Sequence, residues 1–402
     1  MKCRSCDGDA CETILDLGHA PVANALRAPG SSKGPKYPLA IMLCTSCTLV
    51  QLVETLPPAA LFGDYRYASS TSPSMVAHVR ALAQFLTVDE GLQPQSLVVE
   101  VGSNDGYLLQ HYLGVARVLG VEPAERLGRA AEERGIPTEF SYFSHAVAKE
   151  IRKAHGAASV LHAHNVFAHI PSLRDAAQGI KELLAPDGVA VLEVPYLVDM
   201  VITGAFDTIY HEHVFYFSLR ALQRLFDHVE MKVTDVHHVD LHGGSLQVHV
   251  RHAGAAAAPS PRVAACLAGE ARLHDPSFYE PLRLQKNALA ERLPDLLDLL
   301  RQNRLLVAAY GASAKGTTLL HAAGVTERLL DFVVDKNPLK HGLWLPDLNL
   351  PVFPPSELLK QQPSHTLLLT WNFRDEILTE QAAYRAAGGK FIVPVPRLET
   401  VQ

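Results

Sequence analysis

The densest group of reactive side chains lies in one short stretch, DTIYHEHVFYFS, at residues 207–218. Tyr210, Glu212 and His213 fall close together within it. A histidine is the usual proton acceptor near neutral pH, and a neighbouring carboxylate or phenol can orient its ring. The HxH spacing of His211 and His213 also suggests a metal, but on a helix these rings point apart, and no clear third ligand accompanies them. We therefore predict general-base chemistry here, and a buried or solvated cluster without function is the alternative.

Two cysteine pairs near the N-terminus form a second candidate site. Cys3 and Cys6 form one CxxC motif, and Cys44 and Cys47 form another, with Cys11 as a spare thiol. Each pair can present two thiolates from one turn, and four thiolates suit tetrahedral zinc. Coincidental pairs and a redox dithiol are the alternatives, but two pairs in a short block with few core residues favour zinc. Four protein ligands leave no open position for water, so we expect this zinc to hold structure.

The first of two glycine-rich turns, LVVEVGSNDGYLL at residues 97–109, follows a strand-like run and is predicted to lead into a helix. The next strand-like run ends in Glu122, where an acid typically binds ribose hydroxyls. Glu100 and Asp105 flank the turn, where carboxylates repel a diphosphate and attract an ammonium group. S-adenosylmethionine fits, because it joins an adenosine without phosphate to a cationic amino-acid tail; a turn without any ligand is the alternative. The predicted donor-site residues are Glu100, Gly102, Ser103, Asn104, Asp105, Gly106 and Glu122.

The second glycine-rich turn, VAAYGASAKGTTLL at residues 307–320, has the opposite electrostatics. It contains Lys315 and the hydroxyl of Ser313, and its sequence holds no acid. Backbone N–H groups at a helix N-terminus, reinforced by a lysine, form an anion site, to which Lys336 and Lys340 add positive charge. The GxxxxGK[ST] spacing of nucleotide-hydrolysing loops is missing. We predict a diphosphate held for orientation, and a solvated turn explains the loop alone equally well.

The elements that must position these residues fall into three blocks. Residues 1–75 are short, broken by Pro and Gly, and are predicted to form a zinc-binding lobe. Across residues 76–255, strand-like runs such as LVVEV and LQVHV alternate with helical patterns, which predicts a parallel sheet wrapped by helices. A composition break at 253–262 marks a linker, and residues 256–402 form a second strand–helix alternation. The predicted fold class is therefore α/β.

The composition restricts the classes of function. Lys and Arg number 36 against 42 Asp and Glu, a net charge of −6, which argues against a nucleic-acid partner. The longest apolar candidate for a membrane span is interrupted by Glu193, Pro195 and Asp199, and the N-terminus lacks the apolar core of a secretion signal. We expect a cytoplasmic protein, whose reducing surroundings favour cysteines as metal ligands or free thiols.

The two turns together indicate a transferase that brings a methyl donor to a nucleotide-linked acceptor. Three alternatives stay open at this point. The first is a zinc-containing methyltransferase acting on RNA, protein or another non-sugar acceptor. The second is an NAD-dependent oxidoreductase that uses the turn at 307–320, with Asp335 as its ribose acid. The third is a non-catalytic protein that binds zinc and a nucleotide.

The motifs resemble those of the S-adenosylmethionine-dependent C-methyltransferases that methylate C3 of nucleotide-linked 4-keto deoxysugars in making branched sugars. The resemblance runs through almost the whole chain and follows the order of that family. It is carried by the paired CxxC followed by TLVQL, LFGDYRYASSTSPSM, EVGSNDGYLL, HNVFAHI, YHEHVFYFS, GGSLQVHV, YGASAKGTTLL, LLLTWNF and KFIVPVP. Two segments depart from the family pattern, HNV at 164–166 and WLPDLNLP at 344–351, and the second leaves the identity of the sugar and nucleotide open.

The resemblance implies an N-terminal zinc-binding lobe, a central Rossmann-type methyltransferase domain, and a C-terminal Rossmann-like domain that contributes to the sugar-nucleotide site. It also implies that His213 is the base, with Tyr210 and Glu212 in support, and that the product arises through an enolate. We assign Asn165 to the donor site. The residues assigned to the acceptor site are Tyr65, Tyr67, Ser69, Ser313 and Lys315.

Overall fold

The computed structural model describes residues 2–57, 61, 68–241, 243–255 and 258–402, so the predicted acceptor residues Tyr65 and Tyr67 lie outside the described residues. Its α-helices are α1 (Pro73–Asp89), α2 (Glu125–Glu133), α3 (His145–His155), α4 (Leu173–Leu183), α5 (Leu197–Ile202), α6 (Leu219–Asp227), α7 (Pro261–Gly269), α8 (Glu280–Gln302), α9 (Ala314–Ala322), α10 (Glu357–Gln361), α11 (Arg374–Glu380) and α12 (Ala382–Ala386). Its strands are β1 (Cys11–Pro21), β2 (Lys36–Cys44), β3 (Val50–Leu52), β4 (Leu97–Val101), β5 (Arg117–Val121), β6 (Thr138–Glu139), β7 (Ala158–His164), β8 (Leu184–Pro195), β9 (Phe215–Tyr216), β10 (Met231–Val239), β11 (Ser245–His252), β12 (Val307–Tyr310), β13 (Phe332–Val334), β14 (Val352–Phe353), β15 (His365–Leu368), β16 (Lys390–Val393) and β17 (Glu399–Val401).

The N-terminal block forms a four-stranded antiparallel sheet in the order β1-β2-β3-β9. Its last strand, β9, belongs to the central block and follows the YHEH motif directly. Val50 pairs with Tyr216, and the Leu52 N–H donates to the carbonyl of Val214 at 2.8 Å. The lobe therefore contributes hydrogen bonds to the segment that carries the predicted base.

The central block forms a seven-stranded sheet in the order β10-β11-β8-β7-β4-β5-β6. Strands β8, β7, β4, β5 and β6 are parallel, and β4 is buried along its whole length, as parallel strands covered on both faces should be. The prediction of a parallel sheet is wrong for LQVHV, because β11 runs antiparallel to both β10 and β8. The connection from Val239 to Ser245 is too short for a parallel crossover and permits only a hairpin.

The helix predicted after the first glycine turn is also wrong. Residues after Gly106 form turns and a short 3-10 helix at Leu109–Tyr112. Tyr107, Leu108, Leu109 and Tyr112 are all buried, an arc wider than the apolar stripe that one face of a surface α-helix presents.

The C-terminal block forms a six-stranded sheet in the order β14-β13-β12-β15-β16-β17, parallel except for β17. The long helix α8 leads into it, with Leu289, Leu293 and Leu297 buried at four-residue spacing. These leucines share one core with Ile41 and Leu52 of the N-terminal sheet. Among the described residues, no helix has the length and apolar character needed to cross a bilayer.

Candidate active site

A cleft of about 1160 Å³ opens between the three blocks. Ligand pockets typically measure roughly 300–1,000 Å³, so this volume suits two substrates side by side. The predicted site residues that line it are Ser69, Gly102, Asn104, Glu122, Asn165, Tyr210, Glu212, His213, Ser313 and Lys315. The two glycine turns and the YHEH motif, distant in sequence, therefore face one common space.

The donor turn is shaped by backbone that favours glycine. Gly102 and Gly106 have φ values of +68° and +77°. A Cβ on Gly102 would lie 2.6 Å from the Val166 side chain, and one on Gly106 would lie 2.4 Å from Ile136. The turn is packed tightly from behind, and its front edge lines the cleft.

Glu122 fixes this turn from the end of β5. Its carboxylate accepts the N–H of Asn104 at 2.9 Å and that of Ala124 at 2.8 Å. Burial raises the pKa of Glu122, and these two hydrogen bonds oppose that rise. The Asn104 side chain in turn accepts the N–H of Ser69 at 3.0 Å, which joins the segment before α1 to the donor turn.

Four predicted donor residues, Glu100, Ser103, Asp105 and Gly106, lie behind the cleft wall rather than on it. Glu100 is completely buried, and neither carboxylate oxygen has a hydrogen-bond partner within the described residues. Burial, and then the charges of Glu122 and Asp105, raise the pKa of Glu100 well above its ordinary value. Glu100 therefore lies beneath the turn, and its carboxyl group does not flank the cleft as expected.

The donor turn fits S-adenosylmethionine better than a diphosphate. Arg134 is paired with Asp105 at 3.3 Å, so its charge is already balanced. Glu122 lines the cleft where an adenosine ribose would lie. Asn165, at φ +53° after β7, also lines the cleft, and its N–H donates to the carbonyl of Glu193 at 2.8 Å.

The half-buried His213 is held in one tautomer. Its Nδ1 lies 3.1 Å from the carbonyl oxygen of Thr208, which can only accept, so Nδ1 carries the hydrogen. The lone pair of the neutral ring is then on Nε2, which accepts the hydroxyl of Tyr210 at 2.6 Å. The rings of Tyr210 and His213 lie 4.0 Å apart, and His169 lies 5.0 Å from His213. The motif thus presents a basic nitrogen already paired with a phenol.

Glu212 is a buried acid in the same wall, 1% exposed. Its Oε1 accepts the side-chain amide of Asn24 at 3.1 Å, whereas Oε2 has no partner within the described residues. Burial raises the pKa of Glu212 to about 7, and the hydrogen bonds from Asn24 act against that rise. His211 points away and lies 3.3 Å from the carbonyl of Pro38, so the HxH pair does not converge on one ligand.

The second glycine turn carries an acid that its own sequence does not contain. Asp335, at the end of β13, accepts the N–H of Ala312 at 2.8 Å and that of Asn337 at 2.8 Å, the same arrangement as at Glu122. Lys340 lies 3.1 Å from Asp335 and balances its charge. The two turns therefore share a geometry, and the added lysine makes them differ electrostatically.

Lys315 is the cation of the second turn that lines the cleft beside the central block. Its Nζ lies 5.2 Å from the ring centre of Trp371, whose indole N–H donates to Asp207 at 2.7 Å. Burial lowers the pKa of Lys315, and the nearby Asp207 carboxyl opposes this. Lys336, which also lines the cleft, is paired with two glutamates of α11.

The four predicted zinc ligands converge. The sulfur atoms of Cys3, Cys6, Cys44 and Cys47 all lie within 4.8 Å of one another, and no other group within the described residues has the ligands for a metal. Cys3 and Cys47 are 3.5 Å apart, close to the sulfur spacing that tetrahedral zinc imposes. Burial raises the pKa of Cys11 to about 11, and this spare thiol lies outside the cluster.

Several residues that line the cleft or lie directly behind its wall could not be predicted from the sequence. The position of Asn24 in the site could not be predicted, because nothing in the local sequence PVANAL links it to the YHEH motif. Thr208 and Asp207 lie at the start of the motif segment, but only their contacts show what they do. Trp371 belongs to LLLTWNF, which the resemblance included without a role.

Comparisons with known proteins agree with this organisation. Family models match three successive segments: a zinc-binding domain at residues 3–62, a methyltransferase domain at 76–236, and a C-methyltransferase C-terminal domain at 240–396. The chain is thus an α/β S-adenosylmethionine-dependent methyltransferase with a zinc-binding lobe, and its cofactors are S-adenosylmethionine and zinc.

One relative narrows this class to a family. C-methyltransferase NovU from Streptomyces niveus is 36% identical over 400 residues, which span 98% of this chain and 95% of that protein. The chain therefore belongs to the same C-methyltransferase family as NovU, as the resemblance predicted.

Solved structures of methyltransferases are also similar to part of the chain. One from Anabaena variabilis ATCC 29413 is 16% identical and covers 43% of this chain and 84% of its own, with a TM-score of 0.35. Magnesium protoporphyrin IX methyltransferase from Synechocystis PCC 6803, with bound SAH, is 14% identical and covers 44% and 83%, with a TM-score of 0.35.

Proposed function

We propose that this enzyme transfers a methyl group to C3 of a nucleotide-linked 4-keto deoxysugar, in the biosynthesis of branched sugars. The supporting observation is that the donor turn, the lysine-bearing turn and His213 line one cleft. In this proposal, residues 1–75 form the zinc lobe, 76–255 hold the donor, and 256–402 bind the nucleotide of the acceptor.

The acceptor's diphosphate would lie at the start of α9. Ser313 caps this helix by accepting the N–H of Gly316 at 3.1 Å, and helix N-termini attract anions. Lys315 adds a positive charge at the cleft wall. Ser69, which touches the donor turn, would face the sugar from the other side.

His213 would remove the C3 proton, which the adjacent C4 carbonyl acidifies. When the acceptor binds, the Tyr210 hydroxyl would turn its hydrogen from Nε2 to the C4 oxygen, which frees the Nε2 lone pair. The C3–H bond then breaks, the proton moves to Nε2, and the electron pair forms an enolate. Protonated Nε2 can then donate to the oxygen of Tyr210, which leaves the phenol hydrogen to stabilise the enolate oxygen. The enolate carbon C3 would then form a bond to the methyl group that the donor supplies when bound, and the electron pair of the broken carbon–sulfur bond would stay on sulfur.

The first experiment is a calorimetric titration with S-adenosylhomocysteine, followed by dTDP added to the saturated complex. We expect two separate binding events, and methylation of a dTDP-4-keto deoxysugar traced by the position of the new methyl group in the NMR spectrum. Donor binding without dTDP binding would direct the search to GDP- or CDP-sugars. Methylation of a non-sugar acceptor, with no turnover of any nucleotide sugar, would overturn the proposal.

The base is tested by His213→Asn. General-base catalysis is typically worth ~10²–10⁴-fold, so kcat should fall by about that factor while the Kd of S-adenosylhomocysteine stays unchanged. The exposed His228, changed to Asn, is the matched control and should keep kcat. A near-normal kcat in His213→Asn would remove His213 from the mechanism.

A further inference from the structure

The segment at residues 22–27 leaves β1 of the zinc lobe and enters the cleft, where Asn24 and Leu26 line the wall. Asn24 is half-buried and donates its side-chain amide to Glu212 across 188 residues of sequence. No motif assigned to the donor, acceptor or metal site includes Asn24.

This segment is also bonded to the C-terminal block. The carbonyl of Ala23 accepts the hydroxyl of Thr317, on α9, at 3.1 Å. Arg27 and Trp344 exchange backbone hydrogen bonds at 2.9 and 2.8 Å, and the Arg27 guanidinium donates to the carbonyl of Leu348 at 3.2 Å. Asn24 is therefore held between two blocks of the protein that both line the cleft.

Glu212 depends on this contact for its orientation. It is buried in the cleft wall, and Asn24 is the partner of its Oε1. Its Oε2 has no hydrogen-bond partner within the described residues, which is costly for a buried polar atom unless a ligand satisfies it. The carboxyl group thus has one oxygen held by Asn24 and a second, buried in the cleft wall, without a partner within the described residues.

We propose that Asn24 is a positioning residue, which holds the Glu212 carboxyl so that its second oxygen binds a polar group of the acceptor sugar. The inference rests on the proposed function, since it requires a polar acceptor in this cleft. Through the side-chain amide of Asn24, the zinc lobe then contributes directly to the active site. Asn24 itself acts through Glu212 rather than on the reacting atoms.

The test is a double-mutant cycle with Asn24→Ala and Glu212→Ala, using the full-length zinc-loaded enzyme. Losing a hydrogen bond to an ionisable group should lower kcat/KM for the acceptor by about 10- to 100-fold in Asn24→Ala. If Asn24 acts through Glu212, the same change should cost less than about 3-fold in the Glu212→Ala background, where no side-chain acceptor remains for Asn24. The Kd of S-adenosylhomocysteine and the zinc content should not change in any variant.

Two further variants separate positioning from folding. Asn24→Asp keeps the shape of the side chain but replaces its donor by an acceptor, so it should lose at least as much kcat/KM as Asn24→Ala. Asn349→Ala removes a contact with Arg27 at 3.0 Å in the same region and should keep wild-type activity. An equal loss from Asn24→Ala in both backgrounds, or no loss, would overturn the role of Asn24. Wild-type enzyme that methylates no nucleotide sugar would overturn this inference and the proposed function together.

Discussion

At the scale of single residues, the cleft contains an acid whose surroundings oppose its ionisation. Burial raises the pKa of Glu212 to about 7 from an ordinary value of 4.5. The native protein holds this proton more tightly than the unfolded chain, so the resulting stabilisation is complete below pH 4.5 and is lost as the pH rises through 7. Relative to Glu212→Gln, the wild type should lose about 1 kcal/mol of unfolding free energy between roughly pH 6 and 7.5.

Urea unfolding at the two pH values measures this difference. The exposed Glu133, changed to Gln, controls for the loss of one carboxyl group at the surface. A difference between wild type and Glu212→Gln that stays constant with pH would show that Glu212 does not keep its proton.

Also at the scale of single residues, Lys315 is the cation of the second glycine-rich turn that we expect to bind the diphosphate of the acceptor. Lys315 and Lys336 both line the cleft, and Lys336 is paired with Glu376 and Glu380. Lys315→Ala should weaken dTDP binding by about 10- to 100-fold, the usual value of a hydrogen bond to a charged group, with the donor Kd unchanged. Lys336→Ala is the matched control and should change the dTDP affinity much less. Calorimetry measures both, and an unchanged dTDP Kd in Lys315→Ala would exclude this lysine from the site.

At the scale of secondary-structure elements, the donor turn depends on a glycine that no other residue can replace. Gly102 has φ +68°, and a Cβ there would meet Val166 at 2.6 Å, whereas Gly114 has φ +80° with nothing within 4 Å. Both Ala variants should lose roughly 1–2 kcal/mol of stability to backbone strain. Only Gly102→Ala should also displace the turn and weaken S-adenosylhomocysteine binding by about 10-fold or more. Equal donor affinity in the two variants, measured by calorimetry, would contradict this packing.

At the scale of the whole molecule, the zinc cluster and the active site are connected through the strands of the N-terminal sheet. Cys44 and Cys47 bracket the turn between β2 and β3, and β3 pairs with β9 directly after the YHEH motif. Cys44→Ser/Cys47→Ser should lower the zinc content below one per chain and reduce kcat. The donor Kd should stay within a few-fold, because the donor turn belongs to the central sheet.

Metal analysis and calorimetry test this separation. Cys11→Ser is the matched control, because Cys11 lies outside the cluster and should leave the zinc content at one per chain. A full zinc complement in the double variant would contradict the four-cysteine site. A lost donor affinity would show that the lobe also supports the donor turn.

Features that depend on local residue spacing could be predicted from the amino-acid sequence. The CxxC pairs, the two glycine turns and the buried strand at 97–101 are encoded within a few residues each, so zinc, the donor and the α/β class could be predicted. The order of motifs was sufficient to identify the family. The antiparallel β11 was missed, because the alternation of strands and helices does not encode strand direction.

How these local features come together depends on contacts between segments that are distant in the sequence. The hydrogen bond from Asn24 to Glu212, the Asp335 carboxylate on the second turn, and the burial of Glu100 all arise between separate elements. Hydrogen bonds and pKa shifts depend on distance and burial, which a local pattern does not contain. The sequence sets the residue types, whereas the folded structure sets their charges, their hydrogen-bond partners and their access to the cleft.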